Sequence, residues 1–361
     1  MPENNTNAVI NATTGYVNGQ TGAVTAFDAN GPHTLDPEIK SFYDTELLEN
    51  ARAELFFAQF AKKQPLPARH GGTVEWRKWN TFEKAEKLQE GVIPTGQKFG
   101  VSRITGAIDQ YGTYTAITDR LELRAYDDII LGATEEMGAS AAETQETLTR
   151  DALMTNTNVF YCHNVKPDGT PGAVAVPTSC AQMGASDADG WAKLTPDMVS
   201  RVVTQMKKAR VPTLHGKYVA IVHPSVAYDL RSSDEWIEAH KYAAPNELFN
   251  GEIGELHGCR FVEDVFAPVL GGNTYKNKSG GVTYATFFLG RDAFGIIDPE
   301  GGALEIIVHD KEEIGGPLNQ FSTVGYKFET NGATILYPER CVRVMSTGAY
   351  SASDETNYTE A

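Results

Sequence analysis

Residues 72–118 constrain the fold of this chain more than any other stretch. Thr73-Val74-Glu75-Trp76-Arg77-Lys78-Trp79 reads as a strand, and Ser102 to Thr118, rich in Ile, Thr and Tyr, reads as its returning partner. A polar tip containing Gly91, Pro94, Gly96 and Gly100 separates them. A two-stranded ribbon is only marginally stable in water by itself. This one nevertheless carries Trp76, Trp79, Phe82 and Phe99, spread over both faces of the pleat. Those rings need a cover, supplied by the same chain or by a neighbouring molecule.

Charge favours the neighbour. Residues 66–124 hold nine Lys/Arg and seven Asp/Glu, a net +2, whereas 125–165 hold one Arg and seven acids, a net −6. A mildly basic aromatic ribbon beside an acidic segment is a pairing rule that repeated copies of one chain can use. Arg77, Lys78, Lys84, Lys87 and Arg103 are the candidate cations, and Glu135, Glu136, Glu143 and Glu146 the candidate acids. A solvated hairpin inside one domain is the plainer alternative.

The rest of the composition removes several classes. At 361 residues the chain is long enough for two or three compact units. Its net charge of −16 argues against a protein whose main task is gripping nucleic-acid phosphates. No apolar run approaches the roughly 18 residues of a membrane helix, and the first cationic side chain is Lys40, so no secretory leader is expected. Cys162, Cys180, Cys259 and Cys341 stand 18, 79 and 82 positions apart, which matches neither a zinc spacing nor a small disulfide framework. Reduced thiols are expected.

Residues 1–35, poor in large apolar side chains, cannot offset their ordering entropy by burial and are expected to be mobile alone. Ser41 with Asp44 predicts a capped helix through Leu47, Leu48, Ala51, Leu55 and Ala58, stopped by Pro65 and Pro67. From Asp127 to about Thr155, Ile129, Ala133, Met137, Ala141, Leu148 and Ala152 recur at helical spacing. That predicts a spine of about 30 residues, roughly 45 Å long.

Residues 156–192 read as a loop, in which Asp187-Ala188-Asp189-Gly190 lacks the ligand spacing of a calcium site. A mixed α/β region follows. Thr195-Pro196 opens a helix with Val199, Val202, Val203 and Met206, and Tyr218 to Val222 is a buried strand ended by His223-Pro224. Cys259–Val265, Tyr284–Leu289, Phe294–Ile297 and Ala303–Val308 read as further strands. Ser322–Phe328 and Thr334–Tyr337 flank Asn331-Gly332, a tight-hairpin signal, before a last strand at Cys341–Met345 and a polar tail expected to fray.

No catalytic signature is present. The glycine-rich dinucleotide turn, the phosphate loop, the His-Glu-x-x-His zinc pattern and the Gly-x-Ser-x-Gly elbow are all missing. His223, at a strand's C-terminal end, is the best-placed histidine, and nothing identifiable serves it. No catalytic residue, cofactor or metal ligand is assigned.

The order arm, short helix, ribbon, spine, α/β unit and closing strands resembles the major capsid proteins of tailed bacteriophages, with the Hong Kong 97-like fold. Ser41-Phe42-Tyr43-Asp44, Tyr218 to Pro224 and Gly251 to Gly258 before Arg260-Phe261-Val262-Glu263 are similar to the coliphage N-four-type family. So are Phe294 to Asp298, Leu318 to Lys327 and Thr334-Ile335-Leu336, and the likeness runs from about residue 36 to 347. The resemblance implies an α+β chain with an N-terminal arm (1–65), an extended loop (66–122), and a peripheral domain with the spine helix (123–194). An α/β axial domain (195–317) and a return to the peripheral domain with a C-terminal tail (318–361) complete it. It implies hexamers and pentamers of a homo-oligomeric icosahedral shell around double-stranded DNA, assembled in the host cytoplasm and retained in the virion. A separate scaffold chain, a portal and a cement protein are the expected partners, and no membrane. An encapsulin-type nanocompartment, a tail-tube or decoration protein and an α/β enzyme with an unsigned site are the rivals.

Overall fold

The structure, a computed structural model, describes residues 56–67, 71–79, 82, 84–85, 87, 96–124, 129–241, 252–300, 304–309, 320–330, 333–350 and 354–358. The helix expected through residue 55 lies outside these. Ala58 belongs instead to a 3₁₀ turn at Phe57–Gln59, followed by a strand, β1 (Lys62–Leu66). Pro65 therefore sits within a strand rather than stopping a helix. A sheet's edge tolerates proline because no ladder partner needs its missing N–H. β1 pairs in parallel, and on one side only among the described residues, with a strand near residue 295.

The ribbon consists of β2 (Thr73–Trp79) and β3 (Val101–Ala107), in antiparallel register from Thr73↔Ala107 to Trp79↔Val101. The returning stretch is not one strand. Ile108 separates β3 from β4 (Asp109–Thr118), which leaves the ribbon for another sheet. A six-residue helix, α1 (Asp119–Arg124), precedes the spine, α2 (Ile129–Met154). The spine's 26 residues span roughly 39 Å. Met137, Ala141 and Leu153 line its buried stripe together with small and polar neighbours.

Beyond the spine come β5 (Val159–Tyr161) and a two-residue hairpin pair, β6 (Ala185–Ser186) and β7 (Gly190–Trp191). α3 (Pro196–Lys208) is capped as its sequence requires: Thr195 Oγ1 accepts the Met198 N–H at 3.4 Å, and Pro196 needs no partner in the first turn. β8 (Tyr218–Val222) is buried along its whole length and leads into α4 (Pro224–Arg231), whose N-terminus His223 caps through Nδ1. The chain then forms β9 (Glu252–Leu256), β10 (Cys259–Glu263), β11 (Val269–Leu270), β12 (Thr283–Leu289), β13 (Phe294–Pro299) and β14 (Glu305–His309). β15 (Phe321–Thr330), β16 (Thr334–Ile335) and β17 (Cys341–Ser346) close it.

Two larger sheets organise this mixed α/β architecture. In the first, β5-β17-β12-β8-β10-β9 run in that order with β11 beside β12. β8 lies between parallel β10 and antiparallel β12, which explains its unbroken apolar sequence. Packing of α3 and α4 with this sheet gives the main core, including Val199, Val202, Ile221, Phe261, Phe287 and Phe288. In the second, β14-β15-β4 carries Ile117, Ile306, Val324 and Phe328 against Met137 and Ala141 of the spine. The Ser140 and Tyr326 hydroxyls meet there at 3.0 Å.

Two expectations at the C-terminal end are corrected. The strands flanking Asn331-Gly332 do not pair with each other, since β15 pairs with β4 and β14 while β16 pairs with β13. Nor is the polar tail loose where it is described. Ser225 Oγ and Tyr284 Oη donate to Asp354 Oδ2 at 2.6 and 2.8 Å. Asn357 exchanges hydrogen bonds with Val269, and the Ala349 N–H reaches Asp229. Polar side chains hold this strap where apolar burial would not. Asp354→Ala removes the acceptor from the hydroxyls of two buried residues, Ser225 and Tyr284, and is expected to cost about 1–3 kcal/mol. Urea unfolding measures that cost, with hydrogen exchange at Val269 reporting release of the strap.

Candidate functional site

Strand alternation sorts the ribbon into two faces. Val74, Trp76 and Lys78 turn toward the chain's own core, while Glu75, Arg77 and Trp79 turn to solvent. Trp76 is 7% exposed and packs with Ile297 and Leu336 over Gly295, where a Cβ would stand 3.1 Å from the indole. It is thus not an open ring as expected, because β13 and β16 lie beneath its face of the ribbon.

The other three rings behave differently. Trp79, Phe82 and Phe99 are 53%, 56% and 59% exposed. They stack on one another, Trp79 on Phe99 at 4.5 Å between centroids and Phe82 on Phe99 at 5.6 Å. Mutual stacking removes some apolar surface from water, yet more than half of each ring stays outside. A contiguous exposed aromatic patch marks an interaction surface more often than a solvated one.

Arg77, Lys84 and Lys87 are exposed. Lys78 is not available in the same way: its Nζ meets Glu339 at 2.9 Å and lies 4.6 Å over the Tyr337 ring. Arg103 stands opposite Arg77 in the ladder and reaches Glu75 at 3.9 Å. On the spine, Glu135, Glu136 and Glu143 are exposed. Glu146 is 1% exposed and faces inward.

Glu146 does something sequence reading missed. The Phe57 N–H donates to both its carboxyl oxygens at 3.2 Å, and the Phe57 ring, fully buried, meets Phe287 edge-on at 6.0 Å. Burial, with Asp264 nearby adding repulsion, pushes the Glu146 carboxyl up to about 8. Burial also raises Asp264, to about 6, against the pull of the Phe266 N–H and of Arg150. This anchor fixes the N-terminal approach of the chain to the spine. Its one sequence signal was register: Glu146 falls four residues after Ala142 on the buried stripe.

No group of three or more His, Cys, Asp or Glu among the described residues is placed to hold a metal ion. Asp187 accepts from the Trp191 indole, and Asp189 is engaged by Lys278. All four cysteines are free and buried; burial raises every thiol, Cys341 to about 12. No helix among the described residues is long and apolar enough to cross a membrane.

The arrangement of sheets around one long helix is shared with solved phage capsid chains. The cyanophage Pam1 capsid chain superposes with a TM-score of 0.60 at 14% identity, over 92% of this chain and 98% of that one. The Ralstonia phage GP4 capsid chain gives 0.58 at 12% identity, over 90% and 98%. The cyanophage P-SCSP1u capsid chain gives 0.56 at 14%, over 81% and 88%. No curated protein matches. Residues 103–315, more than half of the chain, match the family described as phage capsid protein, and the chain belongs to that family. It is a structural major capsid shell protein.

Proposed function

We propose that this chain builds an icosahedral shell of the Hong Kong 97-like type around double-stranded phage DNA, as a member of the coliphage N-four-type group. The exposed stack of Trp79, Phe82 and Phe99 carries the reading. Assembly places that stack under an adjacent copy, in an obligate interface of the kind that commonly buries 2,000 Å² or more, about two-thirds apolar. Arg77, Lys84 and Lys87 then face acids of the neighbour, Glu135, Glu136 and Glu143 among them, and fix register. Trp76, Lys78 and Glu146 serve within the subunit.

Residues 1–65 act as the arm and 66–122 as the extended loop. Residues 123–194 with the spine, joined by 318–361, form the peripheral unit, and residues 195–317, with α3, α4 and β8 to β12 of the large sheet, the axial one. Hexamers and pentamers require contacts that adapt to unequal surroundings, and the arm and loop supply them. A separate scaffold chain, a portal and a cement protein are the partners, and assembly takes place in the host cytoplasm. The net charge of −16 keeps the lining from gripping phosphate, so packaged DNA slides.

Negative-stain microscopy of the expressed chain, with and without a scaffold chain, tests this. Closed particles are expected from the wild type. Trp79→Ala/Phe82→Ala/Phe99→Ala is expected to keep its circular dichroism spectrum and remain dispersed. Particles of normal yield from the triple variant would refute the interface.

A further inference from the structure

The large sheet has one basic end. β8 and β10 start there side by side, Tyr218 opposite Cys259, and β12 ends there with Leu289 opposite Val219 and Cys341. The turns at 209–217, 257–258, 290–293 and 338–340 are thereby gathered at that end. Among the described residues, four non-glycine residues have a left-handed backbone: Arg210 (φ 54°), His215 (49°), His257 (53°) and Asp292 (56°). All four stand in these turns. Such conformations favour glycine, and other residues keep them chiefly where a site needs a particular side chain. Arg210 is the clearest case. It ends α3 in the position where glycine is usual, its N–H donating to the Lys207 carbonyl and the Val211 N–H to the Met206 carbonyl, both at 3.0 Å. Arginine there sets a third exposed cation after Lys207 and Lys208, and none of the three has an acidic partner among the described residues. From Met198 to Tyr228 the chain carries five Lys/Arg and no Asp or Glu, in a protein of net charge −16. The Arg291 N–H donates to the Pro212 carbonyl at 3.0 Å, which ties a further exposed cation to the same turn. No large apolar side chain is exposed at these turns among the described residues. A protein partner needs an apolar centre, whereas phosphates need only cations and N–H groups.

We propose that this end of the sheet touches the phosphate backbone of the double-stranded DNA that the shell encloses, with Lys207, Lys208 and Arg210 as the principal contacts. The cations are spread over turns rather than sunk in a pocket, which suits phosphates recurring along a duplex better than one small anion. Such a contact reads no base sequence. Few cations are involved and each exchanges with counterions, so the DNA is held weakly and still slides. The inference rests on the shell reading above and adds which end of the axial sheet turns inward.

The test titrates a short fluorescein-labelled duplex with the full dispersed chain at low salt and follows anisotropy. Weak binding, indifferent to sequence, is expected, with a log–log salt slope of about −3 for three phosphate contacts. Lys207→Glu/Lys208→Glu/Arg210→Glu should lower the affinity about tenfold or more and flatten that slope. Lys62→Glu/Lys63→Glu/Lys276→Glu makes the same change of charge at exposed sites elsewhere and should keep most of the binding. Circular dichroism checks that both variants are folded. No binding by the wild type, an equal loss in both variants, or tighter binding of labelled polyglutamate than of the duplex would overturn the proposal, the last in favour of an acidic protein partner. In DNA-filled particles, formaldehyde adducts between DNA and Lys207 or Lys208 are expected, and adducts confined to other lysines refute the contact. A wild-type chain that forms no particles contradicts the shell reading instead, and the titration by itself then decides the contact.

Discussion

Phe57→Ala is expected to destabilise the chain by about 3–5 kcal/mol, the usual cost of emptying a fully buried phenylalanine site. Phe57 lies wholly in the main core, and its ring closes edge-on against Phe287 of β12. It also positions the backbone that Glu146 holds, so the substitution leaves a cavity and loosens a buried carboxyl's partner together. Denaturant unfolding gives the magnitude. Hydrogen exchange should show β1, which follows five residues later, opening far more readily than α3. A loss below about 1 kcal/mol would mean that the site collapses around the missing ring and that the anchor carries little.

The second large effect is a pH dependence set by Glu146. Its carboxyl holds a proton more tightly in the folded chain than in the unfolded one, since burial lifts it to about 8. Below the ordinary glutamate range both states are protonated and no penalty exists. Between that range and about 8 the folded state keeps a proton that the unfolded state has released, so stability falls as pH rises. Asp264, raised to about 6 chiefly by burial, adds a smaller fall of the same sign at lower pH. Glu146→Gln keeps the shape and an oxygen to accept the Phe57 N–H but cannot ionise. The variant should gain on the wild type by a few kcal/mol as pH climbs from 5 to 9, as thermal unfolding across that range would record. An identical pH slope in both proteins would contradict the assignment.

How much of this was legible follows from the range of the interactions. α3, β8 and the His223-Pro224 end of that strand were readable because a Thr-Pro helix start, helical period and an unbroken apolar run are local signals. The spine was readable to within a few residues at each end for the same reason. Pairing was not: β15 finds β4 about 200 residues earlier, so the local Asn331-Gly332 signal named the wrong partner. Pro65 and Pro67 suggested helix stops because an edge strand looks the same from one side. The tail was misjudged because its anchors, Asp354 and Asn357, are polar groups meeting polar groups, which composition cannot distinguish from solvation.

The candidate site was half legible. Its aromatic and basic content was plain, but the division between Trp76 and Trp79 needed the period-2 rule applied strictly: residues three apart on a strand face opposite ways. Applied so, it already separates the ring that belongs to this chain from the one left outside. Glu146 was counted with the exposed acids because charge was read along the spine and not around it.

Hydroxyl-radical footprinting read by mass spectrometry, on dispersed subunits and on assembled particles, addresses the exposed stack most directly. Oxidation of Trp79, Phe82 and Phe99 should be high in subunits and drop sharply in particles, with Trp76 low in both. Equal labelling of the three rings before and after assembly would show that no sister copy covers them.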